Sequence, residues 1–298
     1  MKTQVNTDDN SSSTLKADKI RIEIKDKLNI TINEISAEEK ISLIHTQEYK
    51  AGDKICFTNF SENKYLVVNI DGELSEALIY VPESTLEFAI PFGDDSIPYS
   101  PDAFKGNTHI IKMRIAKKEE VYCYRNIAKN VMDQRGETTY YPHATANVET
   151  RNEAVFAARN TIDGQINTKG HGVWPYESWG TWQRADAELI VDFGRVVEVD
   201  KIALYLRADF PHDTYWKTTK IVFSDGTQKN VQLIKTDKAQ YIEFDKKRIS
   251  WVKLMNIEKA NEPSEFAALT EIQIYGIDIK GIPTFYDRRE GNTNKVIV

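Results

Sequence analysis

The run ELIVDFGRVVEVDKIALYLR, residues 188–207, decides how the rest of the chain is read. Leu189, Val191 and Phe193 fall on one face before Gly194, and Ile202, Leu204 and Leu206 fall on one face after it. This is the period of two that a half-buried strand requires. The spacing predicts strands over 188–193 and 199–207. The same short, β-branched or aromatic pattern recurs downstream at 219–224, 229–234, 241–244, 251–257 and 270–275. It also recurs upstream at 20–24, 54–58, 65–70, 77–81, 86–90 and 109–115. Gly, Pro, Asp and Asn separate the runs. Asp71-Gly72 and Asp225-Gly226 are pairs that tight hairpins favour, because glycine accepts positive φ. No amphipathic helix of ordinary length is visible, and 154–160 offers at most a short turn of one. The chain is therefore expected to be all-β, with two β-sandwich, jelly-roll-like domains. The expected division is a flexible polar tail over 1–18, a first sandwich over 19–122, a second over 123–278 and a tail over 279–298.

Composition sets the outer limits. A chain of 298 residues that is 41% hydrophobic supports one large or two ordinary cores. The net charge is −6, with Lys and Arg scattered, so the concentrated positive face that nucleic acid needs is missing. No apolar run approaches a membrane span, and no charged n-region precedes an h-region. The expectation from that start is a cytoplasmic chain, or an extracellular or cell-surface one if a longer protein has been trimmed. Cys56 and Cys123 are far apart, have no metal-ligand spacing and are expected to be buried free thiols.

The stretch 159–216 departs from this even texture. It holds four of the five tryptophans, Trp174, Trp179, Trp182 and Trp216, with His171, Arg207, Asp209, His212 and Asp213. Indole faces take up the C–H side of a pyranose, and Arg, Asp and His bond its hydroxyls. The competing reading for any one tryptophan is partial burial as a packing residue.

Taken in order, NIAKN, ATANVE, TIDGQINT, Trp174, ELIVDFG, KIALYLRADF, KIVFSDG and LTEIQIYG make the segment from about 124 to 276 resemble the galactose-binding-like superfamily. That superfamily includes discoidin or coagulation-factor type C domains and family 32 carbohydrate-binding modules. The resemblance covers roughly half the chain and speaks to fold more than to ligand. It implies a structural calcium site, with Asp163 as the carboxylate of the DG turn and Thr168 supplying a hydroxyl or carbonyl. Asn160 and Gln165 would give carbonyl oxygens, and Thr270 and Glu271 would close the site from the last strand. Such a set suits a hard cation taking about six to eight oxygens. The resemblance also implies a saccharide as partner. Arg207 takes the position of a ligand arginine at a strand end, where its planar fork bonds two substituents at once. Asp209, His212, Asp213 and Trp216 follow in one loop, opposite His171, Tyr176, Glu177 and Trp179. Trp174 matches a tryptophan that is usually structural.

No G-x-S-x-G, H-E-x-x-H or phosphate-cradling glycine loop is present. The first expectation is therefore a non-catalytic carbohydrate-binding protein. One alternative is a glycoside hydrolase or lyase using Asp209, Asp213 or Glu177, with a cleft between the domains. Another is a protein-interaction module presenting exposed aromatics.

Overall fold

In the computed structural model, residues 19–279 are described, apart from 169, 171 and 209–212. The expected tail 1–18, and that over 279–298 beyond Ile279, lie outside the described residues. Eight strands come first: β1 (Lys19–Lys25), β2 (Thr31–Glu38), β3 (Lys40–His45), β4 (Lys54–Thr58), β5 (Lys64–Asn69), β6 (Ala77–Val81), β7 (Thr85–Ala89) and β8 (His109–Ile115). They form two four-stranded antiparallel sheets, in the orders β2-β1-β4-β7 and β3-β8-β5-β6. Ile20, Ile22, Ile24, Phe57, Leu66 and Phe88 fill the space between them. Reading by period two misses β3, although KISLIH alternates exposed and buried residues, and it misses β2 because TINEISAE shows no buried face. It is an edge strand, so burial does not impose alternation on it.

The second sandwich is built from β9 (Arg125–Asn126), β10 (His143–Ala146), β11 (Trp179–Gly180), β12 (Leu189–Leu206), β13 (Trp216–Phe223), β14 (Gln228–Gln232), β15 (Gln240–Lys259) and β16 (Ala268–Asp278). The two strands expected around Gly194 are one 18-residue strand, β12, whose pairing with β15 is irregular between Asp192 and Val197. Gly194 makes that bend. Its φ is +66°, and a Cβ there would lie 2.3 Å from the Tyr141 ring, so only glycine fits. Below the bend β12 pairs with β10 and the last part of β15. Above it β12 pairs with β16 and the first part of β15. One long strand thus serves both layers. At 154–160, where the sequence suggests a helical turn, there are 3-10 turns, Ala154–Phe156 and Ala158–Thr161.

The sandwiches meet along a packed joint. Val131, Met132 and Tyr140, which follow β9, complete the first core. Tyr80 and Tyr141 exchange backbone hydrogen bonds of 2.9 Å, and the Gln134 side-chain amide bonds both the N–H and the carbonyl of Ala89. Arg195 donates to Asp278 at 2.5 Å and to the Tyr65 hydroxyl at 3.1 Å, and its guanidinium lies 5.1 Å from the Tyr65 ring centroid. Both cysteines are free thiols, but only Cys56 is buried. Burial and the Glu87 carboxylate push its thiol up to about 11. Cys123 is exposed just after the single helical turn Lys118–Val121, not buried as the sequence suggests. Among the described residues no helix is long and apolar enough to cross a membrane.

Candidate functional site

The loops that carry the tryptophan window gather at one end of the second sandwich, where β12 and β15 end and β13 and β16 begin. Backbone bonds from Arg207 to Ala268, Thr214 to Phe266 and Ala260 to Tyr215 (2.9–3.0 Å) tie these loops together. The structure divides the window's aromatic residues into a floor and a rim.

Trp179 and Trp216 form the floor. Both are fully buried in the core, edge to face with ring centroids 5.6 Å apart, and the Trp179 indole donates to the Val148 carbonyl at 2.9 Å. Neither indole is open to a ligand, contrary to the sequence expectation. The reason is register: both lie on the inward side of strands β11 and β13, where burying the whole ring gains most. Arg207 is only 2% exposed. Its Nη1 donates to the Tyr176 carbonyl at 2.9 Å and the Ser178 hydroxyl at 3.3 Å, and its Nε lies 3.7 Å from the buried Asp213 carboxylate. Arg207 and Asp213 therefore hold the loop 174–180 against the sheet and do not line an open pocket. His171, Asp209 and His212 lie outside the described residues.

The rim contains what the sequence does not single out. Trp182 is 57% exposed and has φ +45°, followed by Gln183 at +59°. The left-handed region is costly for a bulky residue. Its backbone N–H is held by the Thr150 hydroxyl at 3.1 Å. Arg151 and Asn152, next to Thr150, are also left-handed, at +53° and +55°. The Arg151 guanidinium lies 5.2 Å from the Phe156 ring centroid and makes a fork onto Glu153 with bonds of 2.6 and 2.7 Å. Tyr176, half-buried, has its phenol pushed up by burial, against the pull of Arg207, with the Glu153 charge adding to the rise. Trp182, Phe156, Tyr176, Arg151 and Glu153 thus lie on the two neighbouring segments 150–156 and 176–182, which the Trp182–Thr150 bond ties together. Trp182 is prominent as a residue type in the sequence, but backbone strain and exposure are not visible there.

The residues expected to hold calcium divide as well. Glu271 is fully buried: its Oε2 accepts from the Gly164 N–H at 3.2 Å, and its Oε1 has no hydrogen-bond partner among the described residues. Asp163 Oδ1 accepts from the Gln165 N–H at 2.8 Å, and Oδ2 lies 3.7 Å from Arg159. Gly164 sits at φ +85° with Lys129 close against it. Burial raises Asp163 to about 6, and Arg159 and Lys129 only partly offset this. Burial and the charge of Asp163 raise Glu271 well above the carboxylate range, and the same two causes raise Glu177 to about 7. Glu177, placed on the sugar side by the sequence, thus feels the acidic cluster. The Asn160 amide is occupied elsewhere: it donates to the carbonyls of Ala154 (2.9 Å) and Ser178 (3.4 Å) and accepts from Arg159 (3.1 Å). Its side-chain oxygen thus has one lone pair engaged by Arg159. Gln165 spends its side-chain oxygen on the Asn167 N–H at 3.1 Å, Thr270 is buried, and Thr168 is half-buried. Among the described residues no three acidic, histidine or cysteine side chains converge as a metal-binding group. A cation here would rest on Asp163 and Glu271 plus neutral oxygens. The unpartnered Glu271 oxygen and the raised carboxylates fit such a guest.

Among the described residues the crevice between the sandwiches is lined by Tyr99, Gln134, Arg135 and Arg159, with Asp95 as the one carboxylate. Glycoside cleavage ordinarily uses two carboxylates across the bond.

A family model described as a domain of unknown function (DUF7402) matches residues 141–275. No curated protein matches the chain. Solved structures similar to it include chitosan-binding module 1 of a chitosanase/glucanase from Paenibacillus sp. IK-5. It is 18% identical, covering 51% of this chain and 98% of that one, with a TM-score of 0.35. A family 32 module from C. perfringens NanJ, in complex with galactose, is 22% identical over 44% of this chain and 91% of its own, with a TM-score of 0.32. A fucose-binding module from Streptococcus pneumoniae, SpX-3, is 15% identical over 51% and 98%, with a TM-score of 0.37. These modules account for about half the chain.

Proposed function

We propose that the chain is a non-catalytic carbohydrate-binding protein that holds a saccharide on the rim at the loop end of its second sandwich. The observation that carries this is Trp182, a tryptophan more than half exposed and held in the left-handed region by the Thr150 hydroxyl. Strain kept at an exposed aromatic points to a functional demand, because a core gains nothing from it. The indole and the Phe156 ring would take the C–H face of a pyranose, and the Arg151–Glu153 fork would exchange bonds with its hydroxyls. Arg207, Asp213, Trp179 and Trp216 act from beneath, by fixing the loop that ends at the rim. The ordered motifs of residues 124–276, which resemble those of carbohydrate-binding modules, agree with a sugar ligand and leave the particular sugar open.

A structural calcium ion belongs to the same proposal, with Asp163 and Glu271 as its carboxylates and oxygens of Gln165, Thr168 and Thr270 completing the shell. The ion would neutralise buried charge and tie the 163–168 turn to β16. A glycan array on the full chain, with calcium and with chelator, tests both parts. Binding of a neutral glycan that Trp182→Ala weakens is the expected result. No binding to any glycan, or turnover of a bound one, would overturn the reading.

A further inference from the structure

The outer face of the upper sheet carries a second cluster that the loop end does not use. In the register, Lys201 of β12 lies between Tyr275 of β16 and Glu243 of β15, and Ala203 lies between Gln273 and Tyr241. Ile202 and Leu204, which alternate with them, face the core. The Lys201 ammonium sits 4.7 Å from the ring centroid of Tyr275, 5.6 Å from that of Tyr241 and 5.8 Å from that of Tyr124. Tyr124 stacks on Tyr275 at 6.2 Å. The hydroxyls of Tyr124 and Tyr275 are anchored at 2.6 Å to Asp200 and Gln273, and that of Tyr205 reaches Gln273 at 3.5 Å. The rings are thereby fixed in place, while Tyr241 and Tyr124 remain 60% and 51% exposed.

We propose that this tyrosine face is a second saccharide-binding surface, which takes uncharged pyranose units across Tyr124, Tyr275 and Tyr241 around Lys201. The cation–π contacts alone would explain a stabilised lysine, but they leave the Tyr241 and Tyr124 rings more than half exposed. The charges select the occupant. Two ammoniums, Lys201 and, at the edge on the Glu243 carbonyl at 3.2 Å, Lys229, share the face with the carboxylates of Asp200 and Glu243, so an ion of either sign meets a like charge there. A polyol, whose hydroxyls both donate and accept, meets a partner at each group. Rings held in place add contact area with little entropy left to lose.

The inference rests on the loop-end reading for the class of ligand, and affinity electrophoresis separates the two. The full chain is run through gels containing soluble β-glucan, galactomannan or galactan, with heparin as the charged control. Wild type is compared with Tyr241→Ala, Tyr124→Ala/Tyr241→Ala and Trp182→Ala, each first shown to keep the wild-type melting temperature. If the double variant melts early, the single substitution at the exposed Tyr241 decides. The expected result is retardation by a neutral polymer that falls about threefold to tenfold in the tyrosine variants, and falls further when Trp182→Ala is added. Loss through the tyrosines alone supports this surface and removes the loop-end site. Loss through Trp182 alone does the reverse. Retardation by heparin only would overturn the neutral class, and no retardation of wild type by any polymer would overturn both sites. A wild-type dimer that Tyr241→Ala dissociates, with retardation unchanged, would make the face a protein interface and overturn the proposal.

Discussion

Two buried arginines mark the two ends of the upper half of β12, and they are used differently. Arg195, before Val197, meets a carboxylate at hydrogen-bond distance: Asp278 accepts from it at 2.5 Å and from Arg125 at 2.7 Å, with the Tyr65 hydroxyl bonded to both Arg195 and Asp278. Arg207, after Leu206, donates to a loop carbonyl, and the Asp213 carboxylate lies 3.7 Å from it. The first arrangement fuses two sandwiches into one joint. The second holds the loop 174–180 against the sheet. At the joint the guanidinium is spent on a carboxylate that two arginines share, whereas at the loop end it also grips backbone.

Breaking the joint should have the largest effect. Asp278→Ala leaves two guanidiniums without their carboxylate and should cost about 3–5 kcal/mol, read as an early urea midpoint that takes both sandwiches together. Burial alone would raise the Asp278 carboxyl, but Arg195 and Arg125 outweigh it and hold it below 3.8. Its contribution is therefore present above the ordinary carboxylate range and lost as pH falls through the depressed value. At the loop end, Arg207→Met removes a bond to the half-buried Tyr176 carbonyl and unbalances the buried Asp213, at a cost of about 1–3 kcal/mol. Melting should show this loss, while proteolysis should map the loosening to 174–180.

The acidic cluster has the opposite sign to the joint. Because Glu177 is raised from 4.5 to about 7 and Asp163 from 3.8 to about 6, their ionisation opposes folding. In chelator, the melting temperature should fall as pH rises through that interval. Calcium should reverse the fall, and Asp163→Asn should flatten it. A chelator-insensitive melting curve at pH 8 would remove the cation from the account.

The ease of reading these regions follows from their physics. Strands that bury one face, such as β12, β13 and β16, write their period into the sequence, and the DG turns mark their hairpins. Strand β2 buries no face and leaves no such trace. The aromatic window is legible as a set because residue type alone singles it out. Its division is not: Trp179 and Trp216 differ from Trp182 only in strand register and backbone angle, both fixed by distant pairing. Arg207 stands out by position, but its role turns on a carbonyl 31 residues away. Glu271 meets the Asp163-Gly164 turn across 107 residues, and Glu177 feels the Asp163 charge, which leaves no local pattern.

The smallest effect on stability is expected at the rim, and it bears most directly on the central claim. Trp182→Ala should change the stability by no more than about 0.5 kcal/mol, because an exposed ring loses little packing. The decisive measurement is calorimetry of wild type and Trp182→Ala against the neutral glycan that the array selects. Wild-type affinity is expected to be on the order of micromolar to millimolar, with a loss of about tenfold in Trp182→Ala at an unchanged melting temperature. Equal affinity in the two proteins would contradict the account.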